Sequence, residues 1–143
     1  MADGSTFHFA LTGGAAGTLV DQSLLDVPID YGSSARGISI GAGGFLICDQ
    51  TVTPVSMLRE LMHFFAVESC GKCTPCRVGT WRTREILDQM LAGDGRPGDV
   101  AELRALSDNL LLASFCGLGQ SVSVPLNSAL VHFADEFQSY EHG

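Results

Sequence analysis

The sequence predicts an α+β fold, mainly α: a C-terminal four-helix bundle over residues 51–143, preceded by a partial β-containing segment over residues 1–50. Three observations carry that reading. The first fifty residues are rich in glycine and poor in helical periodicity, and their short apolar runs read as strands. Beyond them, four stretches repeat apolar residues at helical spacing. The links between these stretches are short, and amphipathic helices so joined pack as a bundle.

The expected strands are Thr6–Leu11 and Gly44–Cys48. The glycine clusters Gly13–Gly17 and Gly41–Gly44 match neither the dinucleotide fingerprint nor a P-loop, so turns and close backbone packing are their expected use. Thr53 is a good N-cap with Pro54 at the first helical position. From there to about Glu68, Leu58, Leu61, Met62 and Phe65 form an apolar stripe opposite Ser56, Arg59, Glu60 and His63. A second helix is expected from Val78 to Leu91, burying Ile86, Leu87, Met90 and Leu91. The breakers of Gly93–Gly98 end it. Asp99 and Glu102 resemble a capping box that opens a third helix through Leu103, Leu106 and Leu110. Pro125 starts a fourth, with Leu126, Ala129, Leu130, Phe133 and Phe137 on its buried face.

Four cysteines stand in the turns of this bundle. Cys70, Cys73 and Cys76, at i, i+3 and i+6, fall between the first two helices, and Cys116 falls between the last two. An up-and-down bundle brings those turns to the same end, so the four thiols can meet. A cubane cluster presents its irons at separate corners, so each cysteine of a triplet can take a different iron. A single zinc needs its thiolates to converge, and its usual sign is two separated C-x-x-C pairs. The pattern therefore favours a [4Fe–4S] cluster held by Cys70, Cys73, Cys76 and Cys116. Lys72 and Arg77 place positive charge beside the thiolates, although each also reads as solvated surface charge. Pro75 stiffens the backbone before Cys76, and a helix beginning near Arg77 would point its free N–H groups at the cluster.

The residues around the cysteines are more specific than their spacing. Glu68–Gly79, which holds the triplet, and Cys116-Gly117-Leu118-Gly119 resemble the C-terminal part of the NADH-binding flavoprotein subunit of respiratory complex I. That family includes the diaphorase subunits of NAD-linked hydrogenases and NAD-dependent formate dehydrogenases. Leu25–Tyr31, Gly41–Asp49 and Phe133–Phe137 extend the resemblance from about Leu11 to Tyr140. The resemblance implies that the four cysteines hold a [4Fe–4S] cluster passing electrons from flavin to further clusters. It implies that the first fifty residues belong to a small ubiquitin-like domain. The family's flavin- and NADH-binding domain is expected to be missing, so the chain should relay electrons without oxidising NADH. The expected partners are other redox subunits of a multi-protein complex, including flavin- or iron–sulfur-containing ones. An incomplete sheet, with an edge for another chain to cover, argues the same way.

Composition narrows the classes further. Across 143 residues the net charge is −8, which disfavours nucleic acid, since phosphate binding needs clustered Lys and Arg. An apolar content of 45% argues against disorder. No run approaches the roughly 20 residues of a membrane-spanning helix. The N-terminus lacks signal-peptide character, and five cysteines, an odd number, point to a reducing cytoplasm. Cys48 is expected to be a buried small hydrophobe rather than a fifth ligand. His63 and His142 read as solvated, as does the pair Asp135-Glu136, and His8 and His132 lack any nearby carboxylate pattern. Trp81 is expected either to shield the cluster or to fill the core. No catalytic constellation is present. The expected function is an electron-transfer subunit with one [4Fe–4S] cluster. The alternatives are a structural zinc or iron–sulfur assembly module and an iron–sulfur redox sensor.

Overall fold

The computed structural model describes residues 4–141 and has the expected mainly-α, α+β architecture. Strands β1 (Phe7–Thr12), β2 (Thr18–Val20) and β3 (Phe45–Asp49) form an antiparallel sheet in the order β2-β1-β3. Leu11 faces Leu19 across one ladder and Leu46 across the other. β2 is not among the expected strands, because three residues are too short to display an alternation. The glycines act as expected. Gly13 and Gly41 both have positive φ, and a Cβ on Gly41 would run into the Gly13 carbonyl.

The bundle is formed by α1 (Pro54–Glu68), α2 (Thr74–Ala92), α3 (Asp99–Ala113) and α5 (Ser123–His132). Each packs on the next, and α5 returns to α1. α1 opens as its sequence dictates. The Ser56 N–H donates to Thr53 Oγ1 at 3.1 Å, and the Thr53 N–H donates to Ser56 Oγ at 3.2 Å.

The other helices differ from expectation at their ends. α2 begins at Thr74, about a turn before Val78, with Cys73 as N-cap and Pro75 in the first turn, where its missing N–H costs nothing. Cys76 therefore lies on the helix. Leu91, expected to be buried, is exposed on its outer face. The Asp99–Glu102 capping box does not form. Gly98, at φ +98°, is the N-cap of α3, and Asp99 Oδ2 accepts from the Arg96 N–H at 2.8 Å. Glu102 pairs instead with Arg82 of α2, at 2.6 Å. The Gly98 and Val100 amides are taken up by Glu141 Oε1 from the far end of the chain, at 3.2 and 2.8 Å. The expected fourth helix is two pieces, α5, which starts two residues before Pro125, and α6 (Ala134–Ser139), while the expected Gly-Leu-Gly turn is itself a short helix, α4 (Gly117–Ser121). The break at Phe133 lets its ring meet Phe9 of β1 edge-on at 5.7 Å.

One apolar core joins sheet and bundle, running from Phe9, Leu19 and Cys48 through Leu58, Met90 and Phe137. Two histidines fasten the same seam. His8 Nε2 lies 2.8 Å from Glu136 and His132 Nδ1 lies 3.3 Å from Asp21. The carboxylate partners absent from their sequence neighbourhoods come from distant segments, so neither histidine, nor Glu136, is simply solvated. His63 is exposed as expected, 3.1 Å from Arg84, and His142 lies outside the described residues. Among the described residues, no helix is long and apolar enough to cross a membrane.

Candidate metal centre

The turn between α1 and α2 is held by its own side chains. After Glu68 the backbone turns extended at Ser69, and Gly71 takes φ +73°, a left-handed conformation that favours glycine. Arg77 Nη1 donates to the Gly71 carbonyl at 2.9 Å, and the Gly71 N–H donates to Ser69 Oγ at 3.3 Å. Ser69 Oγ also lies 3.3 Å from Cys76 Sγ. The second turn leaves α3 through Ser114 and reaches Cys116, the N-cap of α4, where the side chain of Gln120 donates to the Ser114 carbonyl at 3.0 Å.

The two turns, some forty residues apart in sequence, meet at one end of the bundle. The Phe115 N–H donates to the Cys73 thiol, and together with the Cys76 and Cys73 N–H groups it pulls that thiol below its usual pKa. Burial opposes this shift and the Arg77 charge assists it. Burial pushes Cys76 the other way. The Ser69 hydroxyl partly offsets that rise, and the negative charge of Cys73, Cys116 and Cys70 adds to it. All four thiols thus share one electrostatic neighbourhood. Cys73 and Cys76 are buried, whereas Cys70 and Cys116 are exposed, and all are free.

Close approach is secured by Gly119. A Cβ there would stand 2.5 Å from Ser114 Oγ and 3.0 Å from Cys76 Cβ, so any side chain would push α4 off the cysteines. N–H donors, two serine hydroxyls and the Arg77 guanidinium around four thiols suit an anionic, thiolate-held group. Among the described residues, no three or more His, Cys, Asp or Glu side chains are gathered as a site for one metal ion. Thiolates that each take a separate iron need no such convergence.

Several neighbours of the site were not legible in the sequence. Ser69, Ser114 and Gly119 belong to common residue types with no spacing rule, and only the folded chain puts them beside Cys76. Trp81 does not fill the core. It is 55% exposed, with the Arg84 guanidinium 5.2 Å from its ring, and it lines a groove of about 660 Å³ along α2 in which no cysteine takes part. Lys72 is exposed, whereas Arg77 closes the cysteine turn. Cys48 is 4% exposed on β3, as expected for a small hydrophobe.

Comparison with known proteins agrees with this geometry. Residues 56–140 match the family described as the NADH-ubiquinone oxidoreductase-F iron-sulfur binding region. The chain is 40% identical over 139 residues to the NADP-reducing hydrogenase subunit HndC of Solidesulfovibrio fructosivorans, covering 96% of this chain and 28% of that protein. It is 38% identical over 141 residues to the F subunit of the NADH-quinone oxidoreductase of Mycobacterium bovis, covering 98% of this chain and 32% of that one. Among solved structures, an NAD+-reducing [NiFe]-hydrogenase in the H2-reduced state superposes with a TM-score of 0.84 at 29% identity. That match covers 96% of this chain and 24% of the other. The chain thus spans about a third of the length of the curated relatives it matches.

Proposed function

Because the chain belongs to the family of the NADH-ubiquinone oxidoreductase-F iron-sulfur binding region, we propose that Cys70, Cys73, Cys76 and Cys116 hold one [4Fe–4S] cluster through which electrons pass between other redox centres. The observation that carries this reading is the meeting of the two cysteine turns, with the Phe115 N–H on the Cys73 thiol. A bound cubane would supply reversible one-electron chemistry. The protein's own part is to hold the thiolates ready. The amides around Cys73 stabilise its anion, Arg77 fixes the turn, and Gly119 lets α4 lie against Cys76.

The buried and exposed pairs divide the work. Cys73 and Cys76 anchor the site in the bundle, and Cys70 and Cys116 form the side that a partner can approach. The partners proposed are redox subunits of a multi-subunit oxidoreductase, in keeping with the names of the relatives. The sheet supports this reading, since Phe45, Leu46 and Ile47 of β3 are each about half exposed on an edge that another polypeptide would cover. Residues 4–141 relay electrons without a nucleotide site of their own, and flavin and NADH chemistry would belong to other polypeptide. The glycine clusters, spent on backbone packing, support this.

Anaerobically purified protein should carry about four irons and equal acid-labile sulfide per chain, with the paramagnetic resonance signal of a reduced cubane after dithionite. Stoichiometric zinc in protein made with ample iron would overturn the assignment. Micromolar FMN binding to the chain alone would overturn the division between relay and flavin site.

A further inference from the structure

Among the described residues, all the buried hydroxyls except Ser107 and Ser114 have partners close at hand. Thr80 and Thr83 donate to the carbonyls of Cys76 and Gly79, one turn back on α2, each at 2.8 Å. Ser123 donates to the Gln120 carbonyl at 2.7 Å. Ser114 is different. It is 5% exposed and its Oγ has no hydrogen-bond partner. A buried hydroxyl without a partner is costly, and one that stands beside the cysteine turns is a donor open to an acceptor bound there.

The surroundings say what that acceptor is. Ser114 Oγ and Cys76 Cβ border the same point above Gly119, and the next two residues are Phe115, whose N–H donates to Cys73, and Cys116. The sequence-distant acceptor that belongs in this pocket is therefore a sulfur. We infer that the Ser114 hydroxyl donates a hydrogen bond to an anionic sulfur of the bound cluster, a cysteine thiolate or an inorganic sulfide, and so raises its reduction potential. The inference rests on the cluster reading above. Reduction adds one electron and one unit of negative charge, and a donor aimed at sulfur stabilises the more negative form. Ser114 is thus a tuning residue, acting through hydrogen bonding and not through ligation.

The test is a dithionite titration of the full chain, followed by paramagnetic resonance, with iron content measured on every sample. Ser114→Ala should keep its iron and move the midpoint to more negative potential, while Ser114→Thr, which keeps the hydroxyl, should stay near the wild type. Ser107→Ala removes another buried hydroxyl without a partner, two turns down α3, and should leave the potential unmoved. An iron-replete Ser114→Ala at the wild-type potential overturns the proposal, and so do equal shifts in the Ala and Thr variants, which would report packing. If Ser114→Ala fails to load iron, Ser114→Gly takes its place with the same two outcomes. Wild-type protein that holds no four-iron cluster would instead refute the proposed function.

Discussion

The sheet and the cysteine end of the bundle use the same devices for different ends. Each has a glycine pressed against a neighbour: Gly41 against the Gly13 backbone, Gly119 against Ser114 and Cys76. Each has a buried cysteine, Cys48 in one and Cys76 in the other, whose thiol burial pushes up. The difference lies in the company kept. Burial is the main cause at Cys48, with only Asp49 adding to it, whereas Cys76 has a serine hydroxyl and three further thiols around it. The apolar strand beside Cys48 is half exposed at Phe45, Leu46 and Ile47, while the helices behind Cys76 seal a core in which Leu103, Leu110 and Leu126 are fully buried. A buried cysteine is therefore no sign of a ligand. What sets Cys76 apart is the gathering of other thiols and a hydroxyl around it, one of the thiols, Cys116, from a distant segment.

The largest expected effect separates the two cysteine classes. On the proposed ligand set, Cys116→Ala should lose most of the iron and lower the melting temperature, because the cluster would tie the α3–α4 turn to the α1–α2 turn and its loss would remove that link. Cys48→Ala should keep full iron. If Cys48→Ala loses the cluster and Cys116→Ala keeps it, the ligand assignment is wrong.

Glycine replacement sharpens the same contrast. Gly119→Ala forces a Cβ against Ser114 Oγ and Cys76 Cβ, overpacking expected to cost about 1–3 kcal/mol and to slow or prevent cluster loading. Gly41→Ala meets backbone at φ +46° and should cost at least as much stability, yet leave the iron-to-protein ratio of the folded fraction unchanged. Chemical denaturation and iron analysis of both variants check this, and equal iron loss in the two would erase the distinction.

Cys48→Ala should cost on the order of 1 kcal/mol, the packing of a small buried side chain, seen as a shift of the denaturation midpoint without a change in slope. The smallest effect is electrostatic. The Arg82 guanidinium holds the Glu102 carboxyl below its ordinary value of 4.5, so the pair contributes above that pH and the contribution fades as pH falls through the lowered value. Both side chains are partly exposed, which limits the pair to roughly 0.5–1 kcal/mol. Glu102→Gln should therefore be less stable than the wild type at pH 7, with the gap closing as pH falls below 4.5 and through the lowered value. A gap that does not narrow with falling pH would assign the effect to packing.

Sequence alone determined the elements whose causes are local. Thr53, Pro54 and Ser56 start α1 through contacts within one turn, and the triplet spacing of Cys70, Cys73 and Cys76, with Cys116 downstream, is the pattern on which the proposed thiolate site rests. Helical periodicity also identified Leu58, Met62, Ile86, Leu103 and Phe137 as core. Tertiary structure decided what depends on distant partners. β2 exists because β1 lies beside it, and Glu102 leaves its expected cap for Arg82 while Glu141 covers α3 from the end of the chain. The fourth helix breaks where Phe133 turns to meet the sheet, and Ser69, Ser114 and Gly119 join the cysteines only across the closed end of the bundle. The physical reason is common to all of these: a cap, a stripe or a ligand triplet is satisfied within a turn or two of helix, whereas an orphan amide, hydroxyl or ring takes its partner from whatever segment packing brings near.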